Sequence, residues 1–147
     1  MPFPYRKIMC PIDFDENSLR ALESALQIAH HFGAAMIVVH VVPTVAELPE
    51  VADIPGVSQR YEQAEKTARQ RLAEVVRQIT DIACESGLYA GNIVDGILQG
   101  IERFKPDLLV MATDGRAGLQ HFFLGSVAEA VLRKASCPVL TIRTEAS

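Results

Sequence analysis

Paired cysteines, long apolar runs and an excess of positive charge are all missing from this 147-residue chain. Its three cysteines, Cys10, Cys84 and Cys137, are odd in number, widely spaced, and include no Cys-x-x-Cys pair. Each lies in or beside an apolar stretch, so they read as buried reduced thiols rather than as a disulfide framework, a redox centre or a metal site. The four histidines, His30, His31, His40 and His121, match no His-Glu-x-x-His or similar ligand spacing, which removes the usual sequence signal for zinc. No apolar run approaches the roughly 20 residues that span a bilayer, and Met1 to Lys7 has no apolar signal-like core, so no membrane insertion is expected and the cytoplasm is the expected compartment. A formal net charge of −4 argues against an extended nucleic-acid footprint and against an anionic membrane surface. The chain also lacks a Gly-x4-Gly-Lys-[Ser/Thr] loop, a Gly-x-Ser-x-Gly elbow and an obvious base for water attack, so binding is favoured over catalysis.

What is present is an alternation of strand-like and helix-like segments in a chain of single-domain length, expected to form one domain over residues 1–147. Ile8 to Ile12 and Ala35 to Val42 are continuous apolar runs, the second rich in β-branched residues, as suits strands buried on both faces of a parallel sheet. Between them Leu19, Leu22, Ala25, Leu26 and Ala29 recur at helical spacing, with Asn17 and Ser18 as candidate N-caps and Gly33 as the stop. Pro43 to Val57, with three prolines and several acidic residues, reads as a loop or short lid. A long helix is expected from Ser58 to Ser86, ended by Gly87, followed by a weak strand over Ala90 to Val94 and a short helix over Asp95 to Phe104. Asp107 to Ala112 and Pro138 to Arg143 read as the fourth and fifth strands, with a helix over Ser126 to Ala135 between them. This order predicts an α/β fold: an open, doubly wound, five-stranded parallel sheet with helices on both faces.

The most informative stretch follows the fourth strand. Met111-Ala112-Thr113-Asp114-Gly115-Arg116 leaves a buried run for a Gly-containing loop, and Gly125-Ser126-Val127 opens the next helix. Glycine lets backbone N–H groups approach an anion, and a helix N-terminus adds unpaired donors and a positive dipole end. The same residues also serve as an ordinary N-cap and turn. In an open parallel sheet, ligands bind beyond the carboxyl ends of the strands where the strand order reverses. That rule brings Pro11, Ile12 and Asp13 from the first strand, His40 and Val41 from the second, and Met111 to Gly115 from the fourth to one edge. Asp13 suits an acceptor for ribose hydroxyls or, equally, a helix cap or turn residue; Val41 suits contact with an adenine ring or a place in the core.

Lys7-Ile8-Met9-Cys10-Pro11-Ile12-Asp13-Phe14, His40-Val41-Val42, and Leu124-Gly125-Ser126-Val127-Ala128-Glu129 through Cys137-Pro138-Val139-Leu140 together resemble the universal stress protein family over almost the whole chain. The resemblance implies the strand order 3-2-1-4-5 and an adenine nucleotide, ATP, ADP or AMP, as ligand. It implies Pro11, Ile12, Asp13 and Val41 near ribose and base, Met111, Ala112 and Gly115 along the sugar-phosphate path, and Gly125, Ser126 and Val127 at the outer phosphates. Nucleotide-binding members carry Gly-x2-Gly-x9-Gly-[Ser/Thr]; here Gly115, Gly125 and Ser126 fit, but Ala112 stands at the first glycine and Asp114 where histidine is frequent. Beside Gly115, Arg116 is placed either to offset triphosphate charge or to sit solvated in the loop. The Ser126 hydroxyl is a candidate ligand for a phosphate-bound magnesium ion. A stress-response switch is the implied role, any ATP hydrolysis being slow and incidental; a dimeric interaction protein that has lost the nucleotide is the alternative. An unpaired apolar edge at Val139 to Ile142, which members of the family commonly use for dimerisation, leads us to expect a homodimer.

Overall fold

A computed structural model describes residues 3–113 and 125–143 of the chain. Five strands form one parallel sheet: β1 (Lys7–Pro11), β2 (Ala35–Val42), β3 (Cys84–Ala90), β4 (Leu108–Ala112) and β5 (Val139–Ile142), in the order β3-β2-β1-β4-β5. The expected fold class and strand order are therefore both observed. The central strands are the continuous apolar runs, and Ile8, Met9, Cys10, Met36, Val38, Val39, Leu109 and Val110 are fully buried. Each such side chain stabilises the fold by about 1.5–3 kcal/mol relative to exposure.

Helices cover both faces. On one, α1 (Glu16–Phe32) and α3 (Val57–Arg77) pack over Ile8, Cys10, Met36 and Val38, with Ala21, Leu22, Ala25, Ala29 and Leu72 pointing in. On the other, α4 (Ile93–Phe104) and α5 (Ser126–Lys134) cover Met9, Ile37, Val39 and Met111 through Ile97, Ile101, Ala128 and Val131. Between β2 and α3 the segment expected as a loop forms a 3-10 turn at Val45–Glu47 and the short helix α2 (Pro49–Ala52). No helix among the described residues is long and apolar enough to cross a membrane.

Four boundaries differ most from expectation. The cap of α1 is Asp15, whose Oδ1 accepts from the Ser18 N–H at 2.7 Å; Asn17 and Ser18 lie inside the first turn. Gly33 does end the helix, at φ 66°, where a glycine carries no Cβ penalty. Next, α3 stops at Arg77 rather than Ser86. Ile79 and Ile82 remain packed on the same core, so the apolar period outlasts the helix that it was read from. The freed residues build β3, which begins six residues earlier than expected: Cys84–Ala90 pairs with Met36–Val42. As an edge strand, β3 is half exposed and shows no continuous apolar run. Gly87, read as a helix stop, lies within it, where a Cβ would stand 3.0 Å from Phe104 Cε2. Finally, α4 begins at Ile93, capped by Asn92, whose Oδ1 accepts from the Asp95 N–H at 3.1 Å.

All three cysteines are free; Cys10 is buried, and burial pushes its thiol up to about 12. Cys84 and Cys137 are half-buried, less enclosed than their apolar neighbours suggest.

Candidate functional site

A cavity of about 260 Å³ opens at the carboxyl ends of β1 and β4, where β1 ends on a proline. Pro11 has no N–H to give its neighbour. Pairing of β1 with β2 runs on to Pro11–Val39, whereas pairing of β1 with β4 ends at Ile8–Leu108 and Met9–Leu109. The ladder between the two strands ends there, and the crevice lies at the switch in strand order. Its described lining includes Pro11, Ile12, Asp13, Val41, Met111, Ala112 and Val127. These seven sequence candidates thus meet in one place. Gly125 and Ser126 stand next to it as the cap and first residue of α5. Gly115, Arg116 and Asp114 lie outside the described residues.

The acidic wall is built by a tight turn. Asp13 Oδ1 accepts from the Asp15 N–H at 3.0 Å and from the Ser18 hydroxyl at 2.8 Å, while the Asp13 N–H donates to Ser18 Oγ at 3.1 Å. Both carboxylate contacts use Oδ1, leaving Oδ2 with no partner among the described residues. Burial pushes the Asp13 carboxyl up, but hydrogen bonding to Asp15 and Ser18 outweighs it and holds the group below the ordinary carboxylate value. Asp15 is pushed up, first by burial and then by its proximity to Asp13. Asp13 is therefore the more acidic of the two carboxyls and a strong acceptor. It is a turn residue and not the helix cap, which resolves one of the two structural readings left open by the sequence.

Opposite, the floor is apolar and depends on a glycine that sequence reading passed over. Val41, Ile93 and Ile97 line it, and a Cβ on Gly96 would stand 2.5 Å from Val41 Cγ2. Gly96 lets α4 approach β2 closely, and Gly100, whose Cβ would meet Met9 Cε at 3.0 Å, does the same one turn later over β1. The Gly96-x3-Gly100 spacing was the available signal.

Two helix N-termini reach the cavity, and they differ. That of α1 is capped by Asp15, whereas α5 begins at Gly125 with no side-chain cap. The first N–H groups of α5, which include Val127 and Ala128 of the lining, are left for an anion or water. Thr113, which lies in the Met111-to-Gly115 stretch expected at this edge but was given no role of its own, is 7% exposed, lines the cavity, and donates its N–H to the Ile142 carbonyl at 3.0 Å, tying the end of β4 to β5. Asp15, Asn17, Ser18, Ile93, Ile97 and Ala128 are the lining residues that sequence reading did not assign to the site; the Asp13-x-Asp15-x2-Ser18 spacing was a legible turn-and-cap signal. Among the described residues no group of three or more His, Cys, Asp or Glu is arranged to hold a metal ion.

The arrangement offers an acceptor for hydroxyls, an apolar slot, and donors for an anion, in one crevice. Comparison with known proteins agrees with this architecture. Residues 4–143 match the model of the universal stress protein family. The chain is 33% identical over 145 residues to universal stress protein MJ0531 of Methanocaldococcus jannaschii, covering 95% of this chain and 82% of that one. The solved structure of MJ0577 from the same organism superposes with a TM-score of 0.74 at 23% identity, over 97% of this chain and 99% of that one. A universal stress protein family member from Arabidopsis thaliana, solved with AMP bound, superposes with a TM-score of 0.65 at 25% identity, over 96% of this chain and 93% of that one. The fold, the crevice at its switch point and these matches lead to one conclusion: the chain belongs to the universal stress protein family.

Proposed function

We propose that this protein binds an adenine nucleotide in the β1–β4 crevice and acts as a nucleotide-dependent module of the stress response in the cytoplasm. The observation that carries this reading is the meeting of an anionic acceptor, an apolar slot and an uncapped helix N-terminus in one cavity. Asp13 accepts from ribose hydroxyls. Val41 meets adenine beside Pro11 and Ile12, and Met111, Ala112 and Gly115 line the sugar-phosphate path. Gly125, Ser126 and Val127 donate to the outer phosphates, Arg116 offsets their charge, and the Ser126 hydroxyl serves a magnesium ion when the ligand is ATP. The AMP-bound Arabidopsis structure supports the ligand class. Hydrolysis, if catalysed at all, is a slow by-product of phosphate clamping.

Isothermal titration with ATP, ADP and AMP tests the reading. Micromolar affinity that is lost in Gly115→Ala/Gly125→Ala is the expected result; absence of affinity below the millimolar range overturns it. Ala112 favours a second reading, an interaction protein that has lost the ligand, because its methyl group lines the cavity where the family motif has glycine. That reading requires the double variant to behave like the parent protein in every assay. In both readings the edge strand β5, with Leu140 39% exposed, pairs with a second copy of the chain. Light scattering should give a dimer for the parent chain and a monomer for Leu140→Lys.

A further inference from the structure

The end of β2 contains a substitution of one hydrogen bond for another. In a parallel ladder, alternate residues turn both their N–H and C=O to the same neighbouring strand. The Met36 N–H donates to the Ala83 carbonyl and the Gly91 N–H to the Val42 carbonyl, so the even-numbered residues of β2 face β3. The Ile12 N–H donates to the Val39 carbonyl at 2.8 Å, so Val39 and, two residues on, Val41 face β1. Continuing that ladder would join the Val41 N–H to the Ile12 carbonyl. Instead the Ile12 carbonyl accepts from His40 Nδ1, at 2.6 Å. A carbonyl can only accept, so this nitrogen carries the proton.

The imidazole is itself held in place. Its ring lies against Phe14, centroid to centroid 4.5 Å, and the Arg71 guanidinium of α3 lies 4.3 Å over the other ring of that stack, Phe14. Phe14 has φ 68°, a left-handed backbone that a non-glycine residue adopts only when its surroundings hold it there. A chain of contacts from α3 therefore fixes the ring that occupies the Ile12 carbonyl. The Val41 N–H is left with no partner among the described residues, on the strand edge that borders the cavity.

We propose that His40 is a positioning residue for base recognition: by taking the Ile12 carbonyl in place of the Val41 N–H, it keeps the Val41 peptide edge open to the hydrogen-bonding edge of a planar heterocycle. This rests on the nucleotide reading for the ligand but not for the exchanged bond. An open peptide edge presents one donor and one acceptor side by side, complementary to the ring nitrogen and exocyclic amine of a 6-aminopurine. It mismatches a 6-oxopurine, whose ring N–H and oxygen reverse both roles. His40 thereby acts on base choice through Val41, without touching the ligand.

Amide hydrogen exchange at Val41, followed by NMR on the full chain without ligand, tests the bond exchange. The parent protein should exchange rapidly at this amide. His40→Leu should slow it about tenfold or more as the Val41 N–H takes the vacated carbonyl, and His40→Asn, whose side-chain amide stands near the Nδ1 position, should restore the parent rate. Titration with AMP and IMP then tests the consequence: a preference for AMP in the parent protein and in His40→Asn, reduced about tenfold in His40→Leu. If His40→Leu fails to fold, His40→Phe, which keeps the stack on Phe14 but has no donor, carries the same expectations. A protected Val41 amide in the parent protein, an unchanged rate in the donor-less variant, or an unchanged AMP preference there overturns the proposal. Failure of the parent protein to bind either nucleotide overturns the nucleotide reading and the base contact with it, while the exchange rates still decide the role of His40 in the free protein.

Discussion

At the amino-terminal end of the β1–β4 pair, Asp107 Oδ2 accepts from the Arg6 and Lys7 N–H groups at 2.8 and 3.0 Å, and Lys7 Nζ donates to the Phe104 carbonyl at 3.0 Å. At the carboxyl end of the same two strands, Pro11 donates nothing, pairing stops at Met9–Leu109, and a cavity opens. One end uses side chains to satisfy backbone groups beyond the ladder. The other leaves donors and acceptors free, and it is there that Asp13, Val41 and the start of α5 gather. The difference teaches that the site is an interrupted sheet: polar groups that would satisfy each other elsewhere are kept apart, and become available to a ligand. The closed end supplies stability that the open end gives up.

Substitutions should separate these two contributions, the largest effect coming from the floor of the open end. Gly96→Val places a side chain where even a Cβ would stand 2.5 Å from Val41 Cγ2. It should lower stability by about 3 kcal/mol through overpacking and abolish AMP binding, read by chemical denaturation and calorimetric titration. At the closed end, Asp107→Ala orphans two backbone donors and should cost about 2 kcal/mol while leaving AMP affinity at its parent value. Loss of affinity there would mean that the two ends are coupled. Asp13→Asn should weaken AMP binding about tenfold, or 1.4 kcal/mol, and should also lower stability at neutral pH, because its carboxylate accepts from the Asp15 N–H and the Ser18 hydroxyl.

That variant also sharpens the comparison in acid. Because the folded carboxyl of Asp13 lies below its ordinary value of 3.8, its stabilisation is present above 3.8 and is lost as the pH falls through the depressed folded value. Asp13→Asn should therefore flatten the acid limb of a stability-against-pH curve. The smallest effect is expected from Glu47→Ala. Glu47 Oε1 accepts from the Asn92 N–H at 3.1 Å and ties the exposed turn after β3 to the 3-10 segment, away from the β1–β4 gap. A loss of about 0.5 kcal/mol, with AMP affinity unchanged within about threefold, is the expected outcome of denaturation and titration.

The sheet was legible wherever burial left a pattern. Ile8–Ile12 and, apart from His40, Ala35–Val42 are apolar because central parallel strands are covered on both faces. The edge strand β3 carries Glu85, Ser86 and Gly87 beside Leu88 and Tyr89, and was misplaced because exposure removes the pattern. The end of α3 was misread for a related cause: Ile79 and Ile82 continue to bury after the helix has stopped, so period and helix part company.

For the site, strand-end residues named by the switch-point rule, Pro11, Asp13, Val41 and Ala112, do border one cavity. Local order by itself determined the buried central strands and the alternation of strand and helix, and hence the edge at which a site would lie, because those follow from periodicity and from short connections. Only the tertiary structure decided that Asp15 caps α1 while Asp13 stays an acceptor, that Gly96 admits α4 onto Val41, and that His40 takes the Ile12 carbonyl from the Val41 N–H. Each of these choices is a competition between partners brought together from separate elements or separate turns. Their order along the chain names the competitors, and three-dimensional packing settles which of them meet.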